Sequence, residues 1–151
     1  MPEVTTEWQR FEQLSADKLY DLLRFRQRIF VVEQGSPYPD LDGLDQGAWH
    51  LLLWSEDELA GYLRLLPTLG PPPLVQIGRV AVAPSLRGRG LGRLLMNQAL
   101  RFCRERYPDH EIGLGAQRRL VPFYEEFGFA VASTPYDDFG VIHVKMVKPR
   151  S

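Results

Sequence analysis

Six consecutive residues, Arg87-Gly88-Arg89-Gly90-Leu91-Gly92, have the types and spacing to hold phosphate. Glycine lets an oxyanion approach the backbone closely, and arginine adds charge-assisted hydrogen bonds. The flanking residues supply the rest of such a site. Residues 77–82 read as an apolar strand, and Pro84 ends it, because proline has no amide hydrogen to give a ladder. Leu91, Leu95, Ala99 and Phe102 share one stripe at spacings of three and four, so a helix follows the turn. The first amides of that helix have no partner inside it and point outward at an anion. Spacing separates this turn from two other phosphate loops. No Gly-Lys-Ser/Thr follows a first glycine as a P-loop requires. Gly88, Gly90 and Gly92 also fall at every second residue rather than as GxGxxG.

A turn of this kind needs a sheet and helices to hold it. Residues 6–11 read as a first strand. Ser15 is an N-cap for a helix over 16–30, with Leu19, Leu22, Leu23, Arg26, Ile29 and Phe30 on its inner face. Gly35 and Pro37 stop it. Residues 34–47 are rich in Pro, Gly and Asp and too long for a casual connector, which suggests a binding loop. Residues 49–54 and 59–66 form a hairpin around Glu56-Asp57-Glu58. Pro71-Pro72-Pro73 forces an extended connection into a strand over 74–82. The long helix ends near Tyr107-Pro108, and a strand follows over 111–116. A short helix over 118–127 carries Leu120, Phe123, Tyr124 and Phe127 on one face, and Gly128 ends it. Two last strands, 129–133 and 141–147, lie around the turn Asp137-Asp138-Phe139-Gly140. The order predicts one α/β (α+β) domain over 1–151, with helices on the faces of a single mixed, mostly antiparallel sheet.

Composition bounds the function. The chain has 151 residues, 44% hydrophobic and 25% charged, enough for one sizeable core. A net charge of −1 gives no electrostatic reason to expect nucleic acid or membrane as a partner. No apolar run approaches the roughly 20 residues that span a bilayer, and residues 1–11 lack the pattern of a secretory signal. One cysteine excludes an internal disulfide framework and fits a reducing cytoplasm. Cys103 reads as packing rather than a nucleophile, and no Cys/His cluster has metal-ligand spacing. The average charge hides a segregation. Residues 79–106 hold seven arginines and one acid, while residues 33–63 hold seven acids and no lysine or arginine. A cleft between such regions would draw an anionic cofactor to one side and a cationic acceptor to the other. Glu56-Asp57-Glu58 is set aside as a solvated turn.

The pattern Arg-x-x-Gly-x-Gly at Arg87, Gly90 and Gly92, directly after Val82-x-Pro84, resembles the coenzyme A pyrophosphate loop of the GNAT superfamily of N-acetyltransferases. The segment Phe123-Tyr124-Glu125-Glu126-Phe127-Gly128-Phe129 is similar to that family's FYxxxGF segment. The element order resembles the GNAT fold over essentially the whole chain. Arg28-Ile29-Phe30-Val31-Val32-Glu33-Gln34, Tyr38-Pro39-Asp40-Leu41-Asp42-Gly43, Ala48-Trp49-His50-Leu51, Gly78-Arg79-Val80, Gly115-Ala116-Gln117 and Tyr136-Asp137 through Gly140 to His143 look closer to its ElaA-like branch.

The resemblance implies acetyl-CoA as co-substrate, a small-molecule or peptide amine as acceptor, and direct attack with no metal and no covalent enzyme intermediate. It puts the pyrophosphate on Arg87, Gly88, Arg89, Gly90, Leu91 and Gly92. It puts the pantetheine arm on backbone groups of Val80, Ala81 and Val82, where an amide near Val80 or Ala81 would be the oxyanion donor. It puts stabilisation or protonation of the departing thiolate on Tyr124, although spacing alone also suits a core tyrosine. The base that frees the amine has several candidates: Glu33, Asp40, Asp42, His50 and His143. Glu33 follows the first helix, where this fold is expected to place acceptor-binding groups. Asp40, Asp42, His50 and His143 are also candidates for holding the acceptor. Asp42 and Asp45 have a rival task, pairing Arg26 or Arg28 to hold the loop, and His50 sits among apolar neighbours as a structural residue would. Arg79 and Gln117 are further candidates for orienting groups. The acidic 34–47 segment favours a cationic amine, and the apolar late strands suit a homodimer. Two rivals remain. Arg26-x-x-x-Phe30 with Asp42-x-x-Asp45 is reminiscent of acyl-homoserine-lactone synthases, which usually are longer and carry a sparser arginine-glycine turn. The other rival is a non-catalytic module that binds acetyl-CoA.

Overall fold

Burial along two strands sets the layers of the molecule. In β2 (Trp49–Ser55) and β3 (Glu58–Thr68), Leu51, Leu53, Leu63 and Leu65 pack into one core, while Leu52 and Tyr62 pack into another. Strands that are apolar on both faces must be covered twice. Helix α1 (Ala16–Gln27) covers one face with Leu22, and α2 (Leu91–Arg106) covers the other with Leu91, Leu95, Met96 and Ala99. Ser15 starts α1 as expected, its hydroxyl accepting from the Lys18 amide at 3.1 Å. These features come from a computed structural model that describes residues 3–138 and 140–150. Phe139, the third residue of the expected late turn, lies outside the described residues.

The described residues form one eight-stranded sheet, with helices on both faces. Strands β1 (Thr5–Arg10), β2, β3 and β4 (Leu74–Val82) are antiparallel neighbours in chain order. Strand β5 (Glu111–Gln117) then lies parallel to β4, as a connection through α2 allows. Beyond it, β8 (Val141–Lys148) is antiparallel to β5, and β6 (Ala130–Val131) and β7 (Tyr136–Asp138) both pair with β8.

Several boundaries differ from those expected. Helix α1 ends at Gln27 and a π-helical turn, Arg28–Glu33, carries the chain on to Gly35, whose φ of 62° ends the segment. The expected helix 118–127 divides into a 3-10 turn, Arg118–Leu120, and the short α3 (Val121–Glu125), with Pro122 in its first turn. Strand β6 keeps two of the five residues expected. Asp137 and Asp138, expected at the start of a turn, instead form a strand with Tyr136. Its Tyr-Asp-Asp sequence carries no apolar alternation to announce it. Cys103 is buried in the α2 core, and burial pushes its thiol up to about 12, so it packs rather than reacts. Among the described residues no helix is long and apolar enough to cross a membrane.

Candidate active site

The arginine-glycine turn has an open backbone. Gly88 and Gly90 take φ values of 78° and 80°, the left-handed region that favours glycine, and a Cβ at either would meet no atom within 4 Å. Gly90 is the N-cap of α2 and brings no side chain to cap it, so the first amides of a sixteen-residue helix face the recess beside the turn. The Arg87 side chain folds back along the strand. Its Nε donates to the Val82 carbonyl at 3.1 Å, and its two terminal nitrogens donate to the Glu33 carboxylate at 2.5 and 2.8 Å.

The sheet opens next to this turn. β4 and β5 pair only from Leu74 to Ile77 and from Glu111 to Leu114, and then diverge. A bulge sits at the divergence: Tyr62 faces Ala81 and Arg64 faces Gly78, leaving two residues of β4 against one of β3. Arg79 occupies that bulge with φ of 55°. From the bulge onward, the β5-facing edge of β4 at Val80 to Val82 has no strand partner among the described residues, which leaves backbone groups for an amide-bearing ligand.

At the mouth of the split lies a cleft of about 250 Å³. Tyr124, from α3, reaches it through the gap. Its ring is buried among Phe123 and Phe129, and burial pushes its phenol up to about 12. Its hydroxyl has no hydrogen-bond partner among the described residues and is not enclosed, so it is open to the cleft. His143, half-buried on β8, also lines the cleft. Its Nδ1 lies 2.9 Å from the Val141 carbonyl oxygen. A carbonyl only accepts, so Nδ1 carries the proton of the neutral ring and Nε2 carries the lone pair. Tyr136 and Gln117 flank His143 as its direct partners on β7 and β5.

Comparison with known proteins gives the family and the fold. Residues 30–149 match the acetyltransferase (GNAT) domain family. The chain belongs to the GNAT acetyltransferase family. Protein ElaA of Escherichia coli is 41% identical over 146 residues, covering 94% of this chain and 95% of that protein. Its crystal structure superposes with a TM-score of 0.91, covering 97% and 99% of the two chains. An acyl-CoA N-acyltransferase from Pseudomonas aeruginosa superposes with a TM-score of 0.92 at 34% identity, again covering 97% and 99%. A CoA-dependent acyl-homoserine lactone synthase, solved with SAM and isopentyl-CoA, has a TM-score of 0.80 at 21% identity, covering 98% of this chain and 84% of that one, and shares the fold alone. The GNAT fold is that of acyltransferases that draw on acyl-CoA co-substrates.

Within this GNAT chain, the acids and histidines singled out from sequence separate into two groups. His143 lines the cleft. The others are engaged in holding the structure. Glu33 lies outside the cleft, and its hydrogen bonds to Arg87 hold its carboxyl below the usual range, which weakens it as a base. Asp40 borders the cleft, but its carboxylate accepts from Arg26 Nε at 2.8 Å and lies 2.7 Å from Arg79 Nε. Asp42 accepts from both terminal nitrogens of Arg64 and lies 3.4 Å from Arg79. Asp45 accepts from Arg26 at 2.7 Å and Arg64 at 2.9 Å, so the expected pairing with Arg26 occurs and Arg28 takes no part in it. His50 is 0% exposed. Its Nε2 faces the Asp45 carbonyl at 2.9 Å and its Nδ1 faces the Tyr62 hydroxyl at 2.5 Å, and burial lowers its pKa. It is a neutral core residue with no route to an acceptor.

Tyr38, Tyr136 and Asp138 also line the GNAT cleft and were not assigned to it from sequence. The signal was the period-two placement of Tyr136 and Asp138, which puts both on the face of His143 once β7 is known to be a strand. The expected charge map also changes. Arg26, Arg64 and Arg79 neutralise the loop acids, because residues 64 and 79 lie outside the segment in sequence and fold over it in space.

Proposed function

We propose that the protein is an acetyl-CoA-dependent N-acetyltransferase acting on a primary amine by direct attack. One observation carries this reading: the recess at the uncapped start of α2 is lined by Val82 and Phe123, and the cleft lined by Tyr124 and His143 begins two residues away on β4 at Val80 and one residue away on α3, so the unpaired edge of β4 leads from one to the other. The backbone amides of Gly88 to Gly92, with Arg87 and Arg89, would bind the pyrophosphate. Val80, Ala81 and Val82 would pair with the pantetheine arm, and an amide at Val80 or Ala81 would donate to the acyl carbonyl oxygen. Bound acetyl-CoA supplies an activated acyl carbon and a thiol leaving group.

Tyr124 donates a hydrogen bond to sulfur. With its phenol near 12 and a thiol near 8.5, complete transfer of its proton to the thiolate would be uphill by several kcal/mol, so it stabilises more than it protonates. His143 Nε2 takes the proton of the amine, in place of Glu33, whose carboxylate is committed to Arg87.

Calorimetry tests the cofactor half. Acetyl-CoA should bind the wild type, and an Arg87→Ala, Arg89→Glu variant should bind it at least tenfold more weakly, as loss of charge-assisted bonds requires. No binding to the wild type, or equal binding to the variant, would remove the basis of this reading.

A further inference from the structure

The identity of the acceptor is written in the charges that remain unspent in the cleft. Arg26, Arg64 and Arg79 bring three guanidinium groups against Asp40, Asp42 and Asp45. This pairing consumes the acids of the loop, and it also consumes Arg79, whose Nη2 donates to the Asp40 carbonyl at 2.9 Å. Arg79 is the one arginine or lysine among the described residues that line the cleft. A carboxylate entering the cleft therefore meets no uncommitted guanidinium or ammonium group, and desolvating it there would go uncompensated.

Asp138 is the opposite case. It lines the cleft and has no ion pair or hydrogen bond to its carboxylate among the described residues. Strand alternation puts it on the face of Tyr136, two pairs along from the Tyr136–His143 pair and opposite Val141. Its charge adds to burial in raising the Tyr136 phenol. Tyr136 itself lies across β8, its hydroxyl 2.8 Å from where a Cβ on Gly115 would be, so its ring forms part of the cleft floor. Phe30 contributes a second ring, under Arg79.

We infer that the acceptor is a primary amine with an aromatic or apolar body and no carboxylate beside the nitrogen, its ammonium bound by Asp138 and its body by Tyr136 and Phe30. This rests on the N-acetyltransferase reading and narrows it. The ammonium gives one proton to His143 Nε2, from which it passes to solvent. The freed nitrogen bonds to the acyl carbon as the carbon–sulfur bond breaks. The electron pair leaves on sulfur, which takes the nitrogen's second proton, giving an amide and a free thiol.

The decisive comparison offers acetyl-CoA-loaded protein either phenethylamine or phenylalanine, which differ by the carboxylate, and follows free thiol and product mass. Phenethylamine should be acetylated with kcat/KM at least tenfold higher, the scale of one charge-assisted contact. Asp138→Asn should raise KM for phenethylamine about tenfold with KM for acetyl-CoA unchanged, while Asp138→Glu, which keeps the charge, should retain most of the affinity. Equal or better use of phenylalanine overturns the acceptor class and leaves the acetyltransferase reading standing. So does acetyl-CoA binding with neither compound consumed, or equal loss in both Asp138 variants. Failure to bind acetyl-CoA overturns the underlying reading itself.

Discussion

Tyr124 and His143 were both visible in the sequence, but for different reasons. Tyr124 stood out by its FYEEFGF context, and helical spacing alone also made it a core residue. The structure gives it both characters: a buried ring, and a hydroxyl without a partner among the described residues. His143 had no spacing to recommend it over Glu33 or His50. What singles it out is a carbonyl two residues away on its own strand, which fixes the tautomer, and that is a property of backbone geometry. The two residues should fail differently when changed. Tyr124→Phe should lower kcat about tenfold to a hundredfold at every pH with acetyl-CoA affinity unchanged. His143→Gln should lower kcat by about a hundredfold or more near neutrality, with recovery as pH rises and the free amine becomes available without a base. Full pH profiles of the two variants check this, and superimposable profiles would take the base role away from His143.

At the scale of elements, the decisive unit is the loop over 34–47 with its three arginines. Its length and its Pro, Gly and Asp content were legible as a loop, and Asp45 with Arg26 was legible as a pair. Arg64 and Arg79 were not, because they lie on β3 and β4 and meet the loop only after the sheet has formed. The expected acidic half of a cleft was therefore a sum over neighbours in sequence, whereas the charge that matters is a sum over neighbours in space. The network is buried, and Arg26 is 0% exposed. Burial opposes its charges, yet the mutual hydrogen bonds prevail: Arg26 is raised, and Asp45 is lowered by Arg26 and then Arg64. Asp42 is also lowered, chiefly by its hydrogen bonds to Arg64. Depressed carboxyl pKa values give stability that is present above the unfolded value, about 3.9, and is lost as pH falls through the folded value. Asp45→Asn should thus cost about 3 kcal/mol at pH 7, because it leaves two buried guanidiniums short of a partner. The gap between variant and wild type should narrow as the pH is taken below about 3.9. Urea denaturation at several pH values measures both. A difference that stays constant with pH would mean that packing, rather than charge, is what Asp45 contributes.

The whole molecule is two sheet halves joined by a narrow seam. The half from β1 to β4 packs on α1 and α2, and the half from β5 to β8 carries α3, Tyr124 and His143. Between them β4 and β5 share only four paired positions on each strand before diverging. From sequence, β4 and β5 were legible as strands and Arg79 and Gln117 were expected near splayed strands, but the bulge was not foreseen; the register of β4 on β3 and the φ of Arg79 reveal it. A ligand in the split would do for the upper part of these strands what pairing does for the lower part. Backbone groups of β4 facing the split would gain partners, and the first amides of α2 would gain an anion. Hydrogen exchange should therefore show fast exchange, in the free protein, at split-facing amides over 78–82 and at the start of α2, beside slow exchange over 74–77. Saturating acetyl-CoA should slow exchange at those two places and leave β1 and β2 unchanged. Slowing centred instead on Arg24 and Arg28, which border a separate recess beside α1, would place the cofactor on the other side of the Glu33–Arg87 pair. The split would then be an acceptor site alone, and the roles given to Val80, Ala81 and Val82 would have to be withdrawn.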